Sequence, residues 1–293
     1  MSKESFLSSP YLFLIPAAIF MVAFIVYPFL YSVYNGFFSW NWAHPEKGIV
    51  YVGLDNYVSL LLNSDFQNSL RVTFLYTALV LSIEFPLGLI LAVLLAQNFK
   101  GVSLLRTVCL IPLMTSRVAA ALIWQLIYHE TIGPLNYLIS LLSGKSISWL
   151  SDPHMALFSC SLVTVWLYVP FEALILMAAI LSIPSDIIES AKVDGASSIT
   201  IFRHITLPLI KPTAIVVLLI RTMDTLRVFD EVYILTSGGP AGATEVISFY
   251  AYRSLFSYLD VGYASAICVF ILVLLTIVSI PYIRMTVGGL SAR

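Results

Sequence analysis

Charge is the scarcest commodity in this chain. Of its 293 residues only 11% are Asp, Glu, Lys or Arg, 15 basic and 16 acidic, for a formal net charge of −1. A soluble domain carries about 25% charged residues, so these few cannot coat a soluble body of this length. With no basic excess there is no face to neutralise phosphates, which excludes nucleic-acid binding as a main role. Cysteine is nearly absent too. Cys109, Cys160 and Cys268 stand singly inside apolar stretches, which excludes a disulfide framework or a cysteine metal site and leaves packing as their use. The four histidines, His44, His129, His154 and His204, are scattered. There is no low-complexity tract and no soluble domain. What the chain has in quantity is apolar surface, 59% of residues, with a mean hydropathy of +0.94. It reads as an all-α polytopic membrane protein.

A bilayer core of about 30 Å takes roughly 20 apolar residues per helix. Six stretches qualify: 11–38, 72–97, 104–128, 155–181, 209–235 and 261–283. The first is too long for a signal-peptide apolar region. Four are interrupted by charge, at Glu84, at Arg117, at Glu172, and in the fifth at Arg221, Asp224, Arg227, Asp230 and Glu231. Six spans put both termini on one side. With the termini inside, the cytoplasmic connections hold Lys3, Lys100, Arg106, Lys192, Arg203, Lys211, Arg284 and Arg293 against Lys47, Arg71, Lys145 and Arg253 outside. That asymmetry favours cytoplasmic termini. Trp40, Trp42 and Trp149 fall at the expected outer interfaces, where amphipathic rings settle. The organisation expected is an amino-terminal span and outer loop over 1–70, a five-span core over 71–285 with an inner connection at 182–212, and a cytoplasmic tail at 286–293.

The inner connection has its own punctuation. Pro184 ends the fourth span, and Asp186 with Glu189 offers a capping box for a short helix. Glu189 and Lys192 can pair at i,i+3, and Gly195 suits a left-handed stop. Ser197 or Ser198 can cap a second helix burying Ile201, Phe202 and Ile205, and Pro208 and Pro212 start the fifth span. The expected product is a helix–turn–helix knob, either a packed loop or a docking surface for a soluble partner.

The run Glu189-Ser-Ala-x-x-x-Gly195 followed after nine residues by Ile205-x-Leu207-Pro208 resembles the EAA loop of ABC importer permeases, with Ser190 where Ala is usual. Val52-Gly-Leu-Asp-Asn-Tyr57, Phe229-Asp-Glu-Val-Tyr-Ile-Leu-Thr-Ser-Gly-Gly-Pro240 with Thr244, and Gly262-Tyr-Ala-Ser-Ala266 are similar to segments of the carbohydrate-type branch, in particular the F-type subunit of maltose-type heterodimers. The resemblance implies the type I importer permease fold in a bacterial-type cytoplasmic (inner) membrane. It implies a second permease subunit, two ATPase subunits that hold ATP and Mg, and an extracytoplasmic solute-binding protein, with no cofactor and no catalysis in this chain. It assigns ATPase docking to Glu189, Ser190, Ala191, Asp194, Gly195, Ala196, Ile205, Leu207 and Pro208. It also places the solute pathway along the fourth and fifth spans, at Thr164, Tyr168, Phe171, Arg221, Asp224 and Thr225.

A charge at mid-bilayer costs at least ~2.5–3.5 kcal/mol and needs a partner or a wet cavity. Arg221, Asp224, Arg227 and Glu231 recur at i,i+3 and i,i+4 on one helix face. With Arg117 they can line a pathway, since Asp and Arg bind vicinal hydroxyls bidentately, or they can lock spans together. The solute expected is a sugar, oligosaccharide or polyol. Three intramembrane arginines would suit a phosphorylated polyol or other anionic solute, but five intramembrane acids oppose it. A proton-coupled secondary transporter would use Glu84 or Asp224 as relay and calls for internal repeats, of which none is convincing. A membrane-embedded hydrolase would need a nucleophile–base pairing that the sequence does not specify. Ser143-Gly-Lys-Ser146 imitates the end of a phosphate loop, but Ile139 stands where that motif needs glycine.

Overall fold

The computed structural model describes residues 13–291. The first two residues of the expected first span, Lys3, Arg293 and both termini lie outside the described residues. Two compact units are present: one of residues up to Phe66 with Ala251–Val273, the other of Gln67–Tyr250 with the residues from Leu274 onward.

In the first unit, helix α1 (Ile15–Asn35) is long and apolar enough to cross a membrane, and none of its most apolar stretch is buried. Its ladder widens into a π-helical turn at Val22–Val26, just before Pro28, whose missing N–H breaks the regular pattern. A two-residue antiparallel pair, β1 (Phe38–Ser39) with β2 (Val50–Tyr51), follows. After it comes the short helix α2 (Asp55–Leu62). The motif at 52–57 and the motif at 262–266 meet here. Asn56 donates its side-chain amide to the carbonyls of Gly36 and Phe38, at 3.0 and 2.9 Å. Gly262 lies so close to the Phe38 carbonyl that a Cβ would collide with it. Trp42 donates to the Leu259 carbonyl and Val261 to the Trp40 carbonyl, both at 2.8 Å.

Helices from α3 onward build the second unit, with parts of the last two belonging to the first. Helix α3 (Ser64–Leu95) is 32 residues long, so the second span begins eight residues before the expected start at 72. The reason is Asn63, whose side chain accepts from Asp65 N and Phe66 N at 2.8 and 3.1 Å and caps the helix there. The third span is not one rod. Helix α4 (Val102–Met114) and α5 (Arg117–Ile127) meet at 95°, because Thr115 and Ser116 at the junction are extended. Helix α6 (Pro134–Ser143) stops at Gly144 with φ +68°, so the phosphate-loop imitation is a helix stop. Trp149, expected at the outer interface, is instead buried: its indole N–H donates to Asn136 Oδ1 at 3.0 Å and its ring stacks on Tyr128. A membrane-interface ring keeps its polar tip in water, whereas here Asn136 takes that role.

Helix α7 (Pro153–Leu181) is capped by Asp152, which accepts from His154 N and Met155 N. The knob follows as α8 (Ser185–Val193) and α9 (Ser198–Ile201). A π-helical turn at Phe202–Thr206 before Pro208 leads into α10 (Leu207–Leu226) and α11 (Asp230–Leu235). Ala92 of α3, Leu176 of α7, and Ala214 and Val217 of α10 form one buried apolar cluster, so these helices pack together beside the knob. Helix α12 (Ile247–Phe256) precedes α13 (Val261–Ser291). In the second unit Tyr282 of α13 hydrogen-bonds Thr222 of α10 through their hydroxyls at 3.0 Å. Counting the bent pair as one, six segments among the described residues are long and apolar enough to cross a membrane.

Candidate functional site

Charges of α3 and α10 meet beside Tyr168 of α7. Glu84 and Arg221 are 0% and 1% exposed. Arg221 Nε donates to Glu84 Oε1 at 2.6 Å and its Nη2 to Glu84 Oε2 at 3.2 Å, the bidentate geometry that a planar guanidinium favours. The same guanidinium lies 3.7 Å from the centre of the Tyr168 ring and reaches Asp224 Oδ2 at 3.3 Å. Asp224 also accepts from Arg227 at 2.8 Å, and Arg227 is 60% exposed. Arg117, the first residue of α5, stands 5.3 Å from the other end of this stack at Tyr168, within cation–π range. Among the described residues it meets no carboxylate at ion-pair distance.

Of the expected pathway residues, the structure therefore joins Arg117, Tyr168, Arg221 and Asp224 into one chain of contacts. Thr164 is buried, with its hydroxyl 2.7 Å from the Tyr76 hydroxyl. Thr225 is buried and donates to the Arg221 carbonyl at 2.9 Å. Phe171 is half-buried on α7.

The knob is the reverse of this centre. Gly195 has φ +78°. Ala196 N donates to the Ala191 carbonyl at 2.9 Å and Gly195 N to the Lys192 carbonyl at 3.0 Å, the doubled stop that satisfies the last carbonyls of α8. Ser197 Oγ accepts from Thr200 N and caps α9. The capping box at Asp186 does not form: extended Pro184 sets the helix start at Ser185, and no side chain caps it. Asp186 sits in the first turn, where its charge suits the helix dipole. Among the described residues no ion pair joins Glu189 and Lys192. Glu189, Ser190, Asp194 and Gly195 are exposed, Ala191, Ala196 and Ile205 half-buried, and Leu207 and Pro208 exposed at the base. Val193 is 87% and Ile199 72% exposed, on either side of the turn.

The profile of the family described as "Binding-protein-dependent transport system inner membrane component" matches residues 84–284. The chain belongs to this family. The permease is 37% identical over 274 residues to the trehalose/maltose transport system permease protein MalF of Thermococcus litoralis, covering 94% of this chain and 92% of that one. It is 35% identical over 270 residues to the trehalose transport system permease protein SugA of Mycobacterium tuberculosis H37Rv, covering 92% and 86%. A crystal structure of a bacterial ABC transporter that imports the acidic polysaccharide alginate superposes with a TM-score of 0.83 at 25% identity, covering 94% of each chain. That transporter has also been solved with an alginate pentasaccharide-bound periplasmic protein.

The i,i+3 spacing of Arg221 and Asp224 on one helix face is realised as an ion pair at 3.3 Å. The stronger partner in the permease is Glu84 on α3. Tyr76 and the exposed pair Val193 and Ile199 went unremarked. Glu84 was open to discovery: a mid-span acid and a mid-span arginine in different helices need each other. For Val193 and Ile199 the signal was an apolar residue on each side of a predicted turn.

Proposed function

We propose that this permease forms, with a second permease subunit, the membrane pathway for a sugar, oligosaccharide or polyol. A solute-binding protein delivers the solute outside, and two ATPase subunits that hold ATP and Mg drive the cycle from the cytoplasm; the chain itself catalyses nothing. The knob docks on an ATPase through Glu189 to Ala196, with Ile205, Leu207 and Pro208 as its base, and both termini face the cytoplasm. The observation that carries this reading is the knob, a rigidly stopped turn with two apolar side chains in the open, in a chain of this family. The naming of trehalose, maltose and alginate for the relatives supports the solute class.

The central stack then works as follows. Arg221, held by Glu84 in this state, is the post of the stack. Tyr168 offers a ring face for sugar C–H groups, and Arg117, Asp224 and Arg227 offer hydrogen bonds to hydroxyls. A second reading, an anionic saccharide or phosphorylated polyol, draws support from Arg117, which meets no carboxylate at ion-pair distance among the described residues, and from the exposed Arg227. Two of the five acids that opposed it, Glu84 and Asp224, are tied to arginine inside the protein. The same pairing argues against a proton relay at either carboxylate.

The deciding experiment is reconstitution of the complex with its binding protein. Sugar-dependent stimulation of ATP hydrolysis and uptake of labelled sugar are expected. Uptake driven by a proton gradient without ATP would sink the reading, and stimulation by anionic saccharides alone would select the second solute class.

A further inference from the structure

Glu172 has no place in the stack, yet it is completely buried on α7. Neither of its carboxyl oxygens has a hydrogen-bond partner among the described residues. It is pressed onto Gly88 of α3, where an added Cβ would lie 2.8 Å from both its Cβ and its Oε2. An unpartnered buried carboxyl is costly to retain.

Its address is informative. Glu172 stands four residues after Tyr168, whose ring carries the Arg221 guanidinium, and Gly88 stands four residues after Glu84, which grips it. Two helices thus place Glu172 one helical turn, about 5.4 Å, from the present seat of Arg221. The displacement points toward the carboxy-terminal end of α7, which leads directly into the knob. Arg221 rides on α10, the helix that leaves the knob.

We propose that Glu172 is the second seat of Arg221. In the present state Arg221 sits between Glu84 and Asp224. When the knob is drawn, α10 shifts by about a turn relative to α3 and α7, and the guanidinium passes from Glu84 to Glu172. Gly88 leaves the room that the waiting carboxyl needs. Packed interfaces prefer two discrete arrangements to a continuum, and two carboxylates one turn apart with one arginine between them supply such a pair. Glu172 is a positioning residue: it holds the helix in the alternate state and touches no solute. The inference rests on the knob being the ATP-driven lever.

The test compares the wild-type complex without nucleotide and with a non-hydrolysable ATP analogue, by structure determination. Arg221 is expected within ~4 Å of Glu84 in one state and of Glu172 in the other. A knob that moves while Arg221 stays on Glu84 overturns the two-seat inference alone. A knob that does not move overturns it together with the lever. Glu172→Gln gives an independent readout. Gln has the shape of a neutral carboxyl, so a residue that only packs would tolerate it. The two-seat device predicts wild-type complex yield with uptake reduced roughly tenfold or more, the scale of one lost charge-assisted hydrogen bond, and ATP hydrolysis less affected. Wild-type uptake in Glu172→Gln would overturn the inference, and if that variant assembles poorly the wild-type structures decide.

Discussion

The middle of the bundle and the knob each invert the usual arrangement of a folded chain, in opposite senses. At the centre, charges are sealed away from water: Glu84 and Arg221 are almost inaccessible and bind each other in two hydrogen bonds. At the knob, Val193 and Ile199 stand in the open. The Glu84–Arg221 inversion is closed within the chain, because each of the two charges has its counter-charge on a neighbouring helix. The knob's is left open, and in the function proposed above an ATPase subunit covers it. A region that satisfies itself fails when one of its members is removed. A region that waits for a partner fails only when the partner is present.

The largest expected effect breaks the first half of that contrast. Arg221→Ala leaves Glu84 buried and unpaired, a loss of about 3–5 kcal/mol, and should collapse the yield of folded complex from membranes. The charge-exchanged double variant Glu84→Arg with Arg221→Glu should recover part of that yield; no recovery would mean the pair is not the post described above. Next comes Gly88→Ala. Its Cβ would meet Glu172 at 2.8 Å, and overpacking of this kind costs about 1–3 kcal/mol, measurable as a lower unfolding temperature of the complex.

Gly195→Ala addresses the knob. Nothing lies within 4 Å of the added Cβ, so the cost is purely that of a left-handed backbone, about 1–2 kcal/mol. Insertion should be normal while uptake and ATP hydrolysis lose their coupling. The smallest effect on the chain itself belongs to Val193→Ser combined with Ile199→Ser. Exposed positions usually change stability by within about 0.5 kcal/mol, so thermal unfolding of this subunit should not move while copurification of the ATPase subunits falls. If stability drops and copurification does not, the contrast between a closed and an open region is wrong.

Much of this was legible in advance, and the reasons differ by region. The spans follow from apolar run length alone, and Gly195 follows from the need for a left-handed stop. The beginning of α3 was missed because Ser64 to Arg71 is polar: hydropathy marks where lipid begins, not where a helix does, and Asn63 caps it well before the apolar run. The bend at Thr115 and Ser116 was hidden because a break between two apolar helices leaves composition unchanged. The contact of Arg221 with Asp224 follows their i,i+3 spacing, whereas its bidentate grip by Glu84 joins two helices, and spacing along one helix does not show that. Asp186 failed as a cap because Pro184 had already fixed the helix start.

The seam between the beginning and the end of the first unit has a consequence for how the chain is made. The carbonyls of Trp40 and Leu259 and the amides of Trp42 and Val261 bond across more than two hundred residues of sequence, and the Phe38 carbonyl lies against Gly262. Contacts this distant in sequence form late, and a chain emerges from the ribosome amino-terminal end first. The strand after the first span must therefore wait, its hydrogen bonds unmade, until the last span has been synthesised. A chain cut before Leu259 would leave that edge unpaired, whereas the start of α13 and the residues before it cover it.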